Sequence, residues 1–176
     1  MHWNPSAPKV GEQAANLSLL DESGKPIHIS SLARGSALLA LVFRGPYDEE
    51  GLSFLREYRD RTLALRMNYV SLCGIAHADP SALAFMRAER GLGFPLLADA
   101  DGSSLSRWGL LEETGLLLLD KNLIVKQRAL GKQASADAML IFIRRGGARP
   151  EHRRRDRLAH ALRSISQALT PRRLAR

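Results

Sequence analysis

Residues 37–55 read ALLALVFRGPYDEEGLSFL. The run Ala37–Phe43 is apolar throughout and is closed by the turn residues Arg44-Gly45-Pro46, as expected of a strand covered on both faces. Beyond the turn, Asp48, Glu49 and Glu50 stand where a helix dipole favours negative charge. Leu52, Leu55, Tyr58, Arg59 and Thr62 to Leu65 then recur at helical spacing. A buried strand turning sharply into an amphipathic helix is a building unit of layered α/β folds.

The neighbouring segments extend that pattern. Gly115–Leu119, GLLLL, reads as a second buried strand, Asn68–Ala76, NYVSLCGIA, as a third, and LIVKQRAL after Lys121-Asn122 as the hairpin partner of 115–119. Near the start, NLSLL and IHIS flank Asp21-Glu22-Ser23-Gly24-Lys25-Pro26, a strong turn signal between two short strands. The segment DPSALAFMRAERGLG predicts a helix with Asp79 as N-cap, Pro80 at the favoured first position and Gly91 as its stop. A further helix is expected from Ser135 to Gly146-Gly147. The order favours an α/β fold with a central mixed sheet flanked by helices, and no internal repeat is present.

Charge divides the 176-residue chain. Residues 1–143 carry 15 Lys and Arg against 16 Asp and Glu, whereas residues 144–176 carry 11 Arg against Glu151 and Asp156. The net charge of +8 therefore belongs to the tail. The division predicts a domain over 1–143 and an Arg-rich linker with a basic amphipathic helix over 144–176. That helix should start near Pro150, carry Leu158, Ala161, Leu162, Ile165, Ala168 and Leu169 on one stripe, and close at Thr170-Pro171. No apolar run approaches the roughly 20 residues of a membrane-crossing helix. The start, MHWNPSAPKVGEQ, lacks a charged-then-apolar secretion pattern, so a cytoplasmic location is expected. A single cysteine, Cys73, excludes an intramolecular disulfide and a Cys-based metal cluster.

Taken in order, VGEQAANLSLLDESGKPIHISSL, LLALVFRG, YVSLCGIAHADPSALAFMRAERGLGFPLLADADG and WGLLEETGLLLLDKNLIV resemble the peroxiredoxins. The likeness is to the alkyl hydroperoxide reductase/thiol-specific antioxidant (redoxin) branch of the thioredoxin-like proteins. It spans about residues 8–143, and FPLLADADG at Phe94–Gly102 is its most specific piece. It implies a thioredoxin-like fold of peroxiredoxin type and, in active members, a cysteine thiolate at a helix start beside an arginine. Here the motif reads RGPYDEEGLSFL. Without a gap, Tyr47 takes the aromatic position, Asp48 that of the peroxidatic cysteine and Gly51 that of the second cysteine. With a three-residue deletion, Pro46-Tyr47-Asp48 match the family's PYC and the peroxidatic position has no occupant. The arginine that family members carry before the later strand is replaced by Thr114, beside Glu112 and Glu113. A carboxylate cannot pass through sulfenic acid, so Asp48 does not substitute for the thiol.

Other candidates have simpler readings. Cys73 lies mid-strand, where a free cysteine behaves as a small buried apolar group. As a displaced redox thiol it would need exposure, a positive neighbour and an outside resolving partner. Asp48, Glu49 and Glu50 would bind a metal only with Asp99 and Asp101 as remote donors, and an acidic first turn is already explained by the helix dipole. Asp99-Ala100-Asp101-Gly102 lacks the other ligands of a calcium loop and reads as a turn followed by a helix cap. His77 reads as an exposed loop residue, and His152 and His160 have no partner at metal-ligand spacing. No metal or cofactor is expected.

In the tail, Arg144, Arg145, Arg149, Arg153, Arg154, Arg155 and Arg157 suit phosphate contact, because the guanidinium fork donates to two phosphate oxygens at once. Without aromatic residues in the segment, binding should lack sequence preference. A membrane-surface helix would want Trp or Phe in its stripe, which holds only Leu, Ile and Ala. The stripe can instead dock on the domain or on a second copy of the chain. The resulting expectation is a degenerate peroxiredoxin-like pseudoenzyme, its site region Arg44, Tyr47, Asp48 and Thr114, with a tail that contacts nucleic acid or an acidic protein. The alternative is an antioxidant thiol oxidoreductase acting through Cys73.

Overall fold

The computed structural model describes residues 7–33 and 35–147, the side chain of Lys132 excepted. Its frame is one seven-stranded sheet built from β1 (Ser18–Leu20), β2 (Pro26–His28), β3 (Ala37–Phe43), β4 (Val70–Ala76), β5 (Leu96–Ala98), β6 (Gly115–Leu119) and β7 (Val125–Leu130). The spatial order is β2-β1-β5-β4-β3-β6-β7. The interior strand β3 runs parallel to β4, with Ala37 beside Val70 and Phe43 beside Ala76, and antiparallel to β6, with Leu38 beside Leu119. Every residue of β3 and β6 is buried, which is why both are unbroken apolar runs.

Because strand side chains alternate, β3 feeds two separate cores. Leu39, Leu41 and Phe43 pack with Leu52, Leu55 and Tyr58 of α2 (Glu49–Arg59), Leu65 of α3 (Thr62–Met67), Leu83 and Met86 of α4 (Pro80–Arg90), and Met139 and Leu140 of α6 (Ala136–Phe142). Leu38, Ala40 and Val42 pack on the other face with Cys73, Ile75, Leu105 of α5 (Ser103–Arg107), Trp108 and Ile29 of α1 (Ile29–Leu32). Trp108 is fully buried, and its indole N–H donates to the carbonyl of Ala15 at 3.1 Å.

The caps of α4 follow the sequence. Asp79 accepts from the Ser81 N–H at 2.8 Å, Pro80 opens the helix and Gly91 closes it in the left-handed region at φ 60°. Three expectations need correction. The helical periodicity of 52–65 is split at Asp60-Arg61 into α2 and α3. A straight helix over both would be about 28 Å long, against about 23 Å for the strand it covers. The alternation in IHIS ends at His28, because Asn16 accepts from the Ser30 N–H at 3.0 Å and turns Ile29 into α1. The strand expected from Asn68 begins at Val70, since Asn68 caps α3 and Tyr69 takes φ 59°. After α6 the chain ends its described course in a wide turn, Ile143–Gly147, with Arg144 and Arg145 exposed. Among the described residues no helix is long and apolar enough to cross a membrane.

Candidate functional site

Parallel strands β3 and β4 end at Phe43 and Ala76, with Arg44 and His77 next in the chain, and ligands of open α/β sheets gather at such carboxyl ends. Here the turn after β3 delivers Asp48 to the N-cap of α2. Arg44 holds it with a fork, Nη2 donating to Oδ1 at 2.9 Å and Nε to Oδ2 at 3.2 Å. Nη2 also reaches Glu50 at 3.3 Å. From the position just before β6, 66 residues along the chain, the Thr114 hydroxyl donates to Asp48 Oδ2 at 3.3 Å. Thus two of the positions at which the sequence departs from the pattern it resembles, Asp48 and Thr114, touch each other.

The electrostatics of this cluster are internally balanced. Burial pushes the Asp48 carboxyl up, but the Arg44 guanidinium and the Gly51 N–H aimed at it outweigh burial and hold it below its ordinary value. Arg44 is raised in turn, chiefly by its bond to Asp48. A carboxyl whose folded value lies below the unfolded one stabilises the fold above that unfolded value, and the contribution disappears as pH falls through the folded one. Asp48→Asn should therefore lower the melting temperature by a few degrees at pH 7. Its deficit against the parent should shrink between about pH 5 and pH 3. Thermal melts across that range check this, and a deficit independent of pH would contradict it.

Arg44, Asp48 and Thr114 form the cluster, whereas Tyr47 turns away and is 92% exposed. Tyr47 and His77 rim an open depression of about 460 Å³ with Arg44, Gly45, Pro46 and Asp48. Sequence reasoning missed the constraint on Gly51. A Cβ there would lie 2.7 Å from Asp48 Oδ2 and 2.9 Å from Phe43 Cβ, so the position offers no room for a second cysteine. A glycine in the first turn of a helix, where it costs about 1 kcal/mol of propensity, was the available signal.

Cys73 sits in the middle of β4 beside Ala40, on the sheet face opposite α2. It is wholly buried among apolar side chains, and that burial pushes its thiol up to about 12. Asp99 and Asp101 do not approach Asp48 as ligands. Asp99 accepts from the Ser104 and Leu105 N–H groups at 3.3 and 2.6 Å, and Asp101 from Ser103 at 3.0 Å, so both serve the turn and cap of α5. Among the described residues, no three His, Cys, Asp or Glu side chains converge as metal ligands. Of the tail arginines, Arg149, Arg153, Arg154, Arg155 and Arg157 lie outside the described residues, as do His152, His160 and the apolar stripe.

A mixed sheet of this order, with a strand–turn–helix corner at the ends of its parallel strands, is the thioredoxin-like architecture of peroxiredoxin type. Solved structures agree. Peroxidoxin BcpB from Mycobacterium tuberculosis superposes with a TM-score of 0.73 at 21% identity, over 79% of this chain and 98% of that one. A thiol peroxidase from Chromobacterium violaceum gives 0.69 at 22% identity, over 80% and 88% of the two chains. Peroxiredoxin Q from Xanthomonas campestris gives 0.67 at 16% identity, over 74% and 91%. At these identities the likeness is one of fold. Neither protein-family models nor curated protein sequences yield a match.

Proposed function

We propose that this chain is a degenerate peroxiredoxin-like protein without thiol peroxidase activity, whose scaffold serves binding or assembly. The observation that carries the reading is the placement of sulfur. The only thiol is sealed in the core on the far face of the sheet, while the helix start that would need one presents Asp48 clasped by Arg44. In thiol peroxidase chemistry a thiolate attacks the peroxide oxygen and is oxidised to sulfenic acid, a step for which a carboxylate has no counterpart. With Arg44 occupied by Asp48, the acidic neighbours Glu49, Glu50 and Glu113 leave little net attraction for a further anion at that corner.

The binding half of the reading rests on the tail. Arg153, Arg154, Arg155 and Arg157 supply an electrostatic footprint for a polyanion or acidic partner. Were those four to contact phosphates, log affinity for duplex DNA should fall against log salt with a slope of roughly −3.6, about 150-fold between 50 and 200 mM. A titration of generic RNA and DNA across a salt series, with the full chain and with one ending at Gly147, checks this. Affinity indifferent to salt, or retained by the shortened chain, would refute phosphate contact by the tail.

A further inference from the structure

The opposite pole of the sheet holds a second cavity, of about 210 Å³, that the corner at Asp48 does not use. Its origin is topological. β5 pairs with β4 only from Gly74 onward, where Gly74 N–H donates to Pro95 at 3.0 Å, so Ser71 and Leu72 have no strand beside them on that side. The gap is lined by Leu72 and Phe94, both buried, by Leu32, Ser71 and Pro95, and by Thr62 and Arg66 from α3.

Arg66 is the informative residue. Three other arginines are engaged: Arg59 with Asp60 at 2.9 Å, Arg61 with Asp137 at 3.0 Å and Arg87 with Glu22 at 2.8 Å. Among the described residues no carboxylate pairs with Arg66, and its guanidinium makes no hydrogen bond. Glu22, which accepts from the Leu96 N–H near the cavity, is already neutralised by Arg87. The Thr62 hydroxyl already donates to the Tyr58 carbonyl at 3.2 Å and the Ser71 hydroxyl is bonded to that of Ser36 at 2.9 Å, so the Arg66 guanidinium is the polar group left to a ligand. A largely apolar slot with an unopposed guanidinium in its lining is complementary to a small molecule having an apolar body and one negative end. A dry protein cavity of about 150 Å³ accommodates benzene, so the space suits roughly six to ten non-hydrogen atoms.

We propose that this cavity binds a small amphipathic monocarboxylate, its hydrocarbon against Leu32, Leu72, Phe94 and Pro95 and its carboxylate on Arg66. The cavity shares no lining residue with the depression at Asp48. The probes are hexanoate and benzoate, with hexanol and benzyl alcohol as neutral counterparts, titrated into the full chain and followed by amide NMR shifts. Saturable binding is expected, with shifts centred on Leu72 and Phe94. The acids should bind about tenfold or more tightly than the alcohols, as a charge-assisted bond to arginine implies. Arg66→Gln, a change at an exposed side chain, should remove that preference, while Arg44→Gln should leave it intact. Equal affinity for acid and alcohol, no saturation, or a preference lost in Arg44→Gln and kept in Arg66→Gln would each overturn the assignment.

Discussion

Native Cys73 should resist an aromatic disulfide reagent at pH 7, reacting about a thousandfold more slowly than an ordinary cysteine. The thiolate is the reactive form, and raising the thiol from 9.0 to about 12 removes three orders of magnitude of it. Steric closure acts in the same direction, because the sulfur shares its core with Trp108, Ile75 and Leu38 and is 0% exposed. In concentrated guanidinium the same chain should titrate as one thiol per molecule. Rapid stoichiometric labelling of the folded protein would place Cys73 within reach of substrate and revive the displaced-thiol enzyme.

The converse experiment moves the sulfur. Asp48→Cys in a Cys73→Ala background puts a thiol at the start of α2, where Arg44 Nη2 now lies 2.9 Å from a carboxylate oxygen. A helix N-terminus and a guanidinium both favour the thiolate, so the introduced thiol should titrate below the usual 8.5 or so. Its alkylation by iodoacetamide at pH 7 should exceed that of native Cys73 by at least about a thousandfold. A pH–rate profile checks both points. An apparent value at or above 8.5 would mean that Arg44 no longer makes the corner electropositive. On the present account the corner has lost its nucleophile and kept part of the surrounding charge, with Arg44 standing before the helix instead of an arginine at Thr114.

Much of this architecture was legible because burial is written directly into composition. Ala37–Phe43 and Gly115–Leu119 are apolar at every position since both faces of the sheet are covered, and Asp79, Pro80 and Gly91 punctuate α4 by local chemistry alone. The parts that stayed hidden depend on distant partners. Asn16 turns IHIS into the start of α1 through a side-chain bond spanning 14 positions. The end of α2 is set by Tyr58, whose hydroxyl donates to Ala134 at 2.6 Å from 76 positions away. Likewise, Asp48 and Thr114 could be identified separately as departures from the family pattern, but no spacing rule connects them. The cavity at Arg66 was invisible for a related reason, since it exists only because β5 stops short of the lower half of β4.

The most direct measurement is hydroperoxide consumption by the purified full chain, with a dithiol as reductant, run beside Cys73→Ala. Hydrogen peroxide and an alkyl hydroperoxide should both disappear no faster than in buffer with reductant alone, and the two proteins should be indistinguishable. Catalytic turnover by the parent chain that vanishes in Cys73→Ala would contradict the account at its centre.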